Sequence, residues 1–547
     1  MKRQSLLMMS LIMILFCGFI TSDTDIYFNI NRSLELFGRV YKETAINYVD
    51  DINPQKLMEA GIEGMLSTLD PYTVYLDESH QNDIDLITKG KYGGIGATIG
   101  LRNDKVTVVD LIEGYSAHRQ GILIGDVILK INDVEVGKDN YEHLGSLMKG
   151  EPGTAISVVI QREGAKSNLT FNLIREEIEV KNVTFAGFIP ENSNNAYIKL
   201  SGFSRAAGEE VKDAIIELRK EKPINSIVLD MRGNPGGLLD AAIDVSEKFL
   251  GKDKLVVSVV GRDTTTLRKY YSKEEPIAGT TKLAVLIDGY SASATEIVTG
   301  AIQDHDRGII IGDKSFGKGL VQTIIPMPYN ASLKITTAKY YTPSGRCIQK
   351  IDYSKNNDVL VSAEDVKNEF KTDADRTVFA RGGILPDSLV LGESDSDLIQ
   401  QLMANGMFFK YVTRLLSVVK DSSALLNRDG SMYKEFLAYL NEEKFEFNFE
   451  TEKILAKLKN VVEEKKYDSS MPEKVDELIK LFDSEKYNEL DRHKTEITEQ
   501  IRLEILNRIQ GRAGMIRESL KNDQQFETAF SILNSETAYN KLLNHVE

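Results

Sequence analysis

Residues 288 to 322 read DGYSASATEIVTGAIQDHDRGIIIGDKSFGKGLVQ, a short stretch that holds Ser291, Ser293, His305, Lys314 and Lys318. The apolar run LAVLID leads into it, which places the serines where a buried strand turns into a helix. A serine hydroxyl becomes a nucleophile only when a neighbouring base takes its proton. His305, flanked by Asp304 and Asp306, offers Ser-His-Asp chemistry. A helix opening at Ser293 and running to Gln303 puts that histidine about 18 Å away, at ~1.5 Å per residue. A base must lie within hydrogen-bond reach, so His305 is excluded. His80, His118, His143, His493 and His545 have no nucleophile signature beside them.

A lysine is the remaining base, and it acts only when neutral, in a setting dry enough to disfavour its charge. The segment SFGKGLVQ offers one: Lys318 between two glycines, with Phe316, Leu320 and Val321 nearby, and IIIGDK as a strand returning the loop beside the helix start. The amide of Gln322, four residues on, can hold the amine without adding charge. Ser293-Ala294-Thr295-Glu296 also fits the S-x-x-E capping box, in which the serine only caps a helix. Lys318 equally fits a surface lysine in a glycine turn. Spacing alone leaves both pairs of readings open.

The elements that must position these residues follow from periodicity. Residues 25 to 88 place apolar side chains at three- and four-residue spacing, as in LELFGRVYKETAINYV and PQKLMEAGIEGMLSTL, until LDPYTVYLD breaks the pattern. From Gly93 the chain becomes short β-type runs punctuated by glycine, with one helix over YEHLGSLMKG. A glycine loop over Gly93, Gly94, Ile95 and Gly96 that runs into a strand suits capture of a terminal carboxylate, its N–H groups facing the anion and the strand edge pairing with a peptide. The same glycines also fit a plain tight turn. From 181 to about 395, strands alternate with helices of ten or more residues, the pattern of a layered α/β core. Within it NPGGLL, from Asn234, sits at a helix start with N–H groups available. Beyond 396 the chain is helical and charge-laced, as in EKVDELIKLFDSEKYNEL, a composition that suits helices with a solvated face packed on the core.

A chain of 547 residues exceeds one core. Its 82 acidic against 67 basic residues, a formal charge of −15, argue against a nucleic-acid binder, which needs a basic face. Lys2 and Arg3 precede an apolar stretch from Leu6 to Ile20, the n- and h-regions of an export signal. No clean A-x-A site follows, so cleavage, lipidation at Cys17 and retention as an anchor are all open. Only Cys17 and Cys347 occur, which excludes an internal disulfide and a thiol metal site from the exported chain.

SASATE (291–296), an F-G-K-G loop and a glutamine four residues beyond its lysine resemble the C-terminal processing peptidases, or tail-specific proteases, of the Ser-Lys class. The Ser–Lys separation of 25 residues matches theirs. LDPYTVYL (69–76), GGIGATIG with GDVILKINDVEV, DMRGNPGGLL (230–239), TTAKYYTPSGRCIQ (336–349) and RGGILPD (381–387) resemble further family motifs in consistent order, covering about residues 35 to 395. Thr295 and Cys347 stand where serine is common. The resemblance implies a multidomain α/β protein: a crotonase-like protease core at 181–395 with an inserted PDZ domain at 89–180. Around these, composition and periodicity place a signal peptide or anchor at 1–22, a helical N-terminal region at 23–88 and a helical C-terminal domain at 396–547, to which no family motif transfers and whose role stays open.

By the same resemblance Ser293 attacks, Lys318 is the base and Gln322 holds it. Ala294 with Gly236 or Gly237 forms the oxyanion hole, and the 93–96 loop binds substrate C-termini. No cofactor or metal is implied. The partners implied are protein or peptide substrates with free C-termini; a homo-oligomer, an activating partner and membrane association through the N-terminus stay open. The expected location is exported, in the periplasm or anchored facing it. Two rivals stand beside the protease: a non-catalytic PDZ scaffold and a crotonase-like acyl enzyme. Intact Ser293, Lys318 and Gln322 argue against the scaffold. The acyl enzyme leaves the PDZ module and the Ser–Lys spacing unexplained.

Overall fold

The computed structural model describes residues 23–102, 104–353, 359–360, 369–380, 382–392, 396–419, 425–426, 431–447, 450–465, 468 and 470–544. The export-signal expectation for 1–22, His545 and Arg381 of RGGILPD lie outside them. The described residues divide into two compact units: a smaller one of those within 1–76, 322–336 and 353–357, and a larger one with the remainder.

At the centre of the larger unit is a six-stranded sheet. Its order is Val183–Phe188, Asn195–Leu200, Ser226–Asp230, Lys282–Ile287, Ile309–Gly312 and Ser388–Leu389, antiparallel at the first pair and parallel thereafter. SIVLD, LAVLI and III read as continuous apolar runs because both faces of the sheet are covered, so alternation has no solvent side to mark. Ile227, Leu229, Leu283, Val285 and Ile310 point to one face, where helices Ala207–Glu221, Leu239–Glu247 and Ala294–Asp304 pack. Val228, Ala284, Leu286, Ile309 and Ile311 point to the other.

That second face is covered by the end of the chain. Helices Gln524–Asn534 and Glu536–Asn544 bring Phe526, Ala529, Leu533 and Tyr539 onto it, a spacing that puts the first three on one helix stripe. Tyr539 also accepts a hydrogen bond at its hydroxyl from Leu283 N–H, 3.1 Å. The helices before them enclose a separate core around Phe408, Tyr411, Phe436, Ile497 and Ile501, with Phe408 stacked on Phe436 at 5.2 Å.

A third core belongs to the glycine-punctuated segment. Strands Ala97–Arg102, Lys105–Leu111, Val127–Ile131, Ala155–Gln161 and Leu169–Ile174 form one antiparallel sheet in that order. It closes over Val106, Ile128, Ile156 and Val158 with helix Tyr141–Met148. Its entry strand Lys91–Gly94 pairs with its exit strand Glu176–Glu179, so the module leaves and rejoins the main chain at one place.

In the smaller unit, helix Pro54–Leu66 is started by Asn53, whose side chain accepts from Gln55 and Lys56 N–H, with proline at the first turn where its missing N–H costs nothing. Asp70 of LDPYTVYL accepts from Tyr72 N–H and Thr73 N–H at 2.8 and 2.9 Å. This turn delivers strand Val74–Leu76, which pairs antiparallel with residues 332–334.

Phe526 is buried between Tyr197 and Phe530. Phe526→Ala should lower the stability of the transition that unfolds the core sheet by about 3–5 kcal/mol, the usual result of emptying a packed phenylalanine site. Urea unfolding followed by near-UV circular dichroism checks this. A loss under ~1 kcal/mol would mean that the last helices are not part of that core.

Candidate active site

Ser293 sits between strand Lys282–Ile287 and helix Ala294–Asp304, half-buried, with φ 57° and ψ −114°. A positive φ at a residue with a Cβ costs on the order of 1–3 kcal/mol, so neighbouring bonds must hold the turn. Asp288 accepts from Tyr290, Ser291 and Gly233 N–H, each at 3.0 Å. The Asn234 carbonyl accepts Ala292 N–H at 3.1 Å and the Thr295 hydroxyl at 2.9 Å. The DMRGNPGG and SASATE segments are thus stitched together around the serine.

Gly236 is obligatory at this junction. It has φ 97°, and an added Cβ would lie 2.6 Å from Ala292 O and 3.0 Å from Ser293 Cβ. Gly236 N–H already donates to the Asn234 side-chain oxygen at 2.9 Å. Gly237 is as constrained, with φ 156° and an added Cβ 2.4 Å from Phe203 O. Ala294 is the first residue of the helix, where N–H groups have no intrahelical acceptor.

Lys318 lies half-buried in the loop between strands Ile309–Gly312 and Leu320–Pro326. Gly317, at φ 88°, lets that loop pass close to Gly382, whose carbonyl oxygen would be 2.6 Å from an added Cβ. Phe316, read from the sequence as part of a dry lysine pocket, is 44% exposed, because its backbone is drawn the other way by an N–H bond to Ser291 O. Leu320 is buried as expected.

The residue that joins the two loops is Glu296, fully buried. Its Oε2 accepts Ser293 N–H at 2.8 Å and Lys318 N–H at 2.9 Å. Its Oε1 accepts the Ser315 hydroxyl at 2.6 Å and Gly317 N–H at 2.7 Å. The carboxylate half of the capping box read from S-x-x-E therefore exists, but the same side chain also binds a loop some twenty residues further on. Burial raises its carboxyl to about 7, against the opposing pull of the hydrogen bonds from Ser315, Lys318, Ser293 and Gly317.

Gln322 belongs to the smaller unit, where its amide nitrogen donates to Thr336 Oγ1 at 3.3 Å. His305 ends the helix that Ser293 begins. Its ring nitrogens lie 2.9 Å from Asp373 Oδ2 and 2.7 Å from Leu255 O, a structural tie between loop and strand.

Two residues escaped notice inside DMRG. Buried Asp230 accepts from the Tyr197 hydroxyl at 2.6 Å, Lys199 Nζ at 3.0 Å and the Arg232 guanidinium at 2.6 Å. Burial would raise its carboxyl, but the Arg232 and Lys199 charges hold it well below the usual range. Arg232 also bonds Gln525 Oε1 at 2.9 Å and pairs with Asp523 at 2.7 Å, tying the motif to the C-terminal helices. An Asp and an Arg two residues apart at a strand end were the available signal.

The carboxylate loop expected over Gly93–Gly96 needs correction. Gly93 and Gly94 are ladder residues of Lys91–Gly94, opposite Glu177 and Glu176. The glycine at 93 is there because Gly150 O approaches to 1.9 Å of where a Cβ would be. Only Ile95 and Gly96 form the turn, Gly96 at φ 76°, and both carbonyls are turned inward onto Ala117 and Ile112 N–H. The turn opens into a cavity of about 870 Å³ between strand Ala97–Arg102 and helix Tyr141–Met148. No cluster of side chains suited to a metal ion occurs among the described residues.

Family models match in the same order as these modules. Residues 21–80 match the activating protease CtpB N-terminal domain, 93–173 a PDZ domain, 194–359 peptidase family S41, and 398–533 the C-terminal helical domain of a probable PDZ-protease. The chain is 38% identical over 326 residues to a carboxy-terminal-processing protease of Bartonella bacilliformis, covering 59% of this chain and 74% of that protein. It is 32% identical over 325 residues to the carboxy-terminal processing protease CtpB of Bacillus subtilis, covering 58% and 66%. Among solved structures, the photosystem II D1 C-terminal processing protease aligns at 25% identity over 64% of this chain and 85% of its own, with a TM-score of 0.35.

Glu296 makes a pH prediction with a defined sign. Its folded-state pKa, about 7, lies above the ordinary 4.5, so folding favours the protonated form. That contribution is complete below pH ~4.5 and is lost as pH rises through ~7, amounting to roughly 3 kcal/mol. Unfolding free energies measured from pH 5 to 8 should fall for the wild type and change less for Glu296→Gln. Parallel pH slopes in the two proteins would remove Glu296 as the titrating group.

Proposed function

The chain belongs to the C-terminal processing peptidases, and from that premise we propose that it is a serine endopeptidase using Ser293 and Lys318 to cleave exported proteins. The reading rests on one observation: the backbones of Ser293 and Lys318 bond the same oxygen of one buried carboxylate, which keeps the two segments adjacent. Neutral Lys318 takes the hydroxyl proton as Ser293 Oγ attacks the scissile carbonyl. The tetrahedral intermediate collapses to an acyl-enzyme as the amine departs with a proton returned from Lys318, and water then releases the acid. Oxyanion charge is met by Ala294 N–H and a glycine N–H of NPGG. Gly237 is the better candidate, since Gly236 N–H is engaged by Asn234. Gln322 is assigned the holding of the lysine amine.

The core that carries this chemistry is taken as crotonase-like, a sheet with helices on both faces, and 23–88 as a helical N-terminal region. The PDZ module is assigned the capture of substrate C-termini, with the Ile95–Gly96 turn receiving the carboxylate and strand Ala97–Arg102, at the sheet edge, pairing with the peptide. The N-terminal 22 residues are proposed to direct export to the periplasmic side, as a cleaved signal or an anchor.

Ser293→Ala and Lys318→Ala should each lower cleavage of an unstructured protein substrate by 10³-fold or more, on the scale seen for loss of a nucleophile or its base. His305→Ala should stay within a few-fold of wild type in whatever fraction remains folded. Near-normal turnover in folded Lys318→Ala would overturn the pair. A protein that binds C-terminal peptides without cleaving any would favour the scaffold.

Substrate choice provides a second check. Amidating the C-terminus of a long substrate removes the carboxylate charge, replaces one acceptor oxygen by an amine and leaves the rest of the peptide unchanged, and should weaken its binding to the full-length Ser293→Ala protein about tenfold or more, the worth of a charge-assisted hydrogen bond. Equal binding of free-acid and amidated peptides would leave the Ile95–Gly96 turn without a recognition role.

A further inference from the structure

Glu296 joins the two loops through their N–H groups, and a second side chain joins the same two loops through their carbonyls. Tyr340 Oη donates toward Lys318 O at 2.5 Å and Ser293 O at 3.1 Å. We propose that Tyr340 is a positioning residue for the Ser293–Lys318 pair, acting through its hydroxyl to set the separation and alignment of nucleophile and base. This rests on the protease reading above.

The phenol comes from a rigid element. Tyr340 is 1% exposed, lies in strand Ser332–Tyr341 and packs in the main core. There the strand pairs with Leu255–Gly261, Tyr340 standing opposite Val259. Its own N–H donates to Gly319 O at 3.0 Å, so side chain and backbone hold the carbonyls of two consecutive peptides, 318–319 and 319–320. Burial raises the phenol well above its ordinary value, so it remains a donor wherever a lysine base titrates.

With a single O–H proton facing two carbonyl oxygens, the hydroxyl sits where a shift of either loop would break a bond. Glu296 and Tyr340 thus close a ring: serine N–H to carboxylate to lysine N–H, then lysine C=O to phenol to serine C=O. All four of these bonds run to backbone groups of Ser293 and Lys318. Strain at Ser293 makes such a tether necessary, because a residue at φ 57° relaxes when released. An error near 1 Å between reacting groups costs on the order of 10²-fold in rate.

The test is Tyr340→Phe in the full chain, beside Ser293→Ala and Lys318→Ala. Phenylalanine keeps the ring in the core and removes only the hydroxyl. We expect kcat to fall about 10- to 100-fold with KM within about threefold. The pH at which kcat/KM rises should move upward, because a lysine loop released at its carbonyl lets water reach the amine, which then holds its proton longer. Assays are run well below each variant's unfolding temperature, and 4-aminophenylalanine at position 340, which returns a donor to the same place, should recover most of the rate. An unchanged kcat and pH profile in Tyr340→Phe, with Ser293→Ala and Lys318→Ala inactive, overturns the role of Tyr340 alone. A loss of rate tracking only the unfolded fraction, or one the amine does not rescue, also overturns it. Activity in Lys318→Ala overturns the protease reading first.

Discussion

One buried carboxylate organises the site. Glu296 has no water-facing surface, and its two oxygens take four donors from two segments: Ser293 from one, and Ser315, Gly317 and Lys318 from the other. A buried carboxyl without partners is costly, and removing any partner leaves a polar atom stranded in low dielectric. The desolvation that raises its carboxyl thus also makes the four bonds difficult to give up. The serine turn and the lysine loop are thus held to one group.

The remaining architecture supplies rigid mounts for those segments. Strands Lys282–Ile287 and Ile309–Gly312 are parallel neighbours, so the loops that leave their ends emerge side by side. These are carboxyl ends of strands, the side on which open α/β folds place their ligands. Ser226–Asp230, the neighbour on the other side, delivers the NPGG segment to the same end. The last two helices press the second face of the sheet, and Arg232 links them to Asp230 at the root of that segment. A disturbance near residue 525 therefore has a short physical route to the glycines beside Ser293.

Much of this was legible beforehand, and the failures have physical causes. Strand–helix alternation placed Ser293 at a helix start and put His305 out of reach, because both follow from local periodicity and rise per residue. Glu296 was visible only as a capping residue, since its other donors come from a loop whose return depends on tertiary pairing. Phe316 looked like lining for Lys318 by proximity in sequence, but a loop residue's direction is set by its backbone bond to Ser291. Gly93 and Gly94 looked like an anion loop and turned out to be ladder residues, because a glycine needed for close packing, Gly93 against Gly150 and Gly94 against the Tyr92 ring, has the same letter as one needed for a turn. The apolar stripe at 526, 529 and 533 was present in the sequence, while the face it covers is chosen by long-range packing.

The central claim, that Ser293 is a nucleophile activated by Lys318, is tested most directly by covalent chemistry. Wild-type protein is treated with a serine-directed fluorophosphonate, and the adduct is located by peptide mass mapping. One adduct at Ser293 should form at a rate that rises with pH, and Lys318→Met should abolish or greatly slow it while the protein stays folded. Labelling at another residue, or at Ser293 with the same rate in Lys318→Met, would contradict the account.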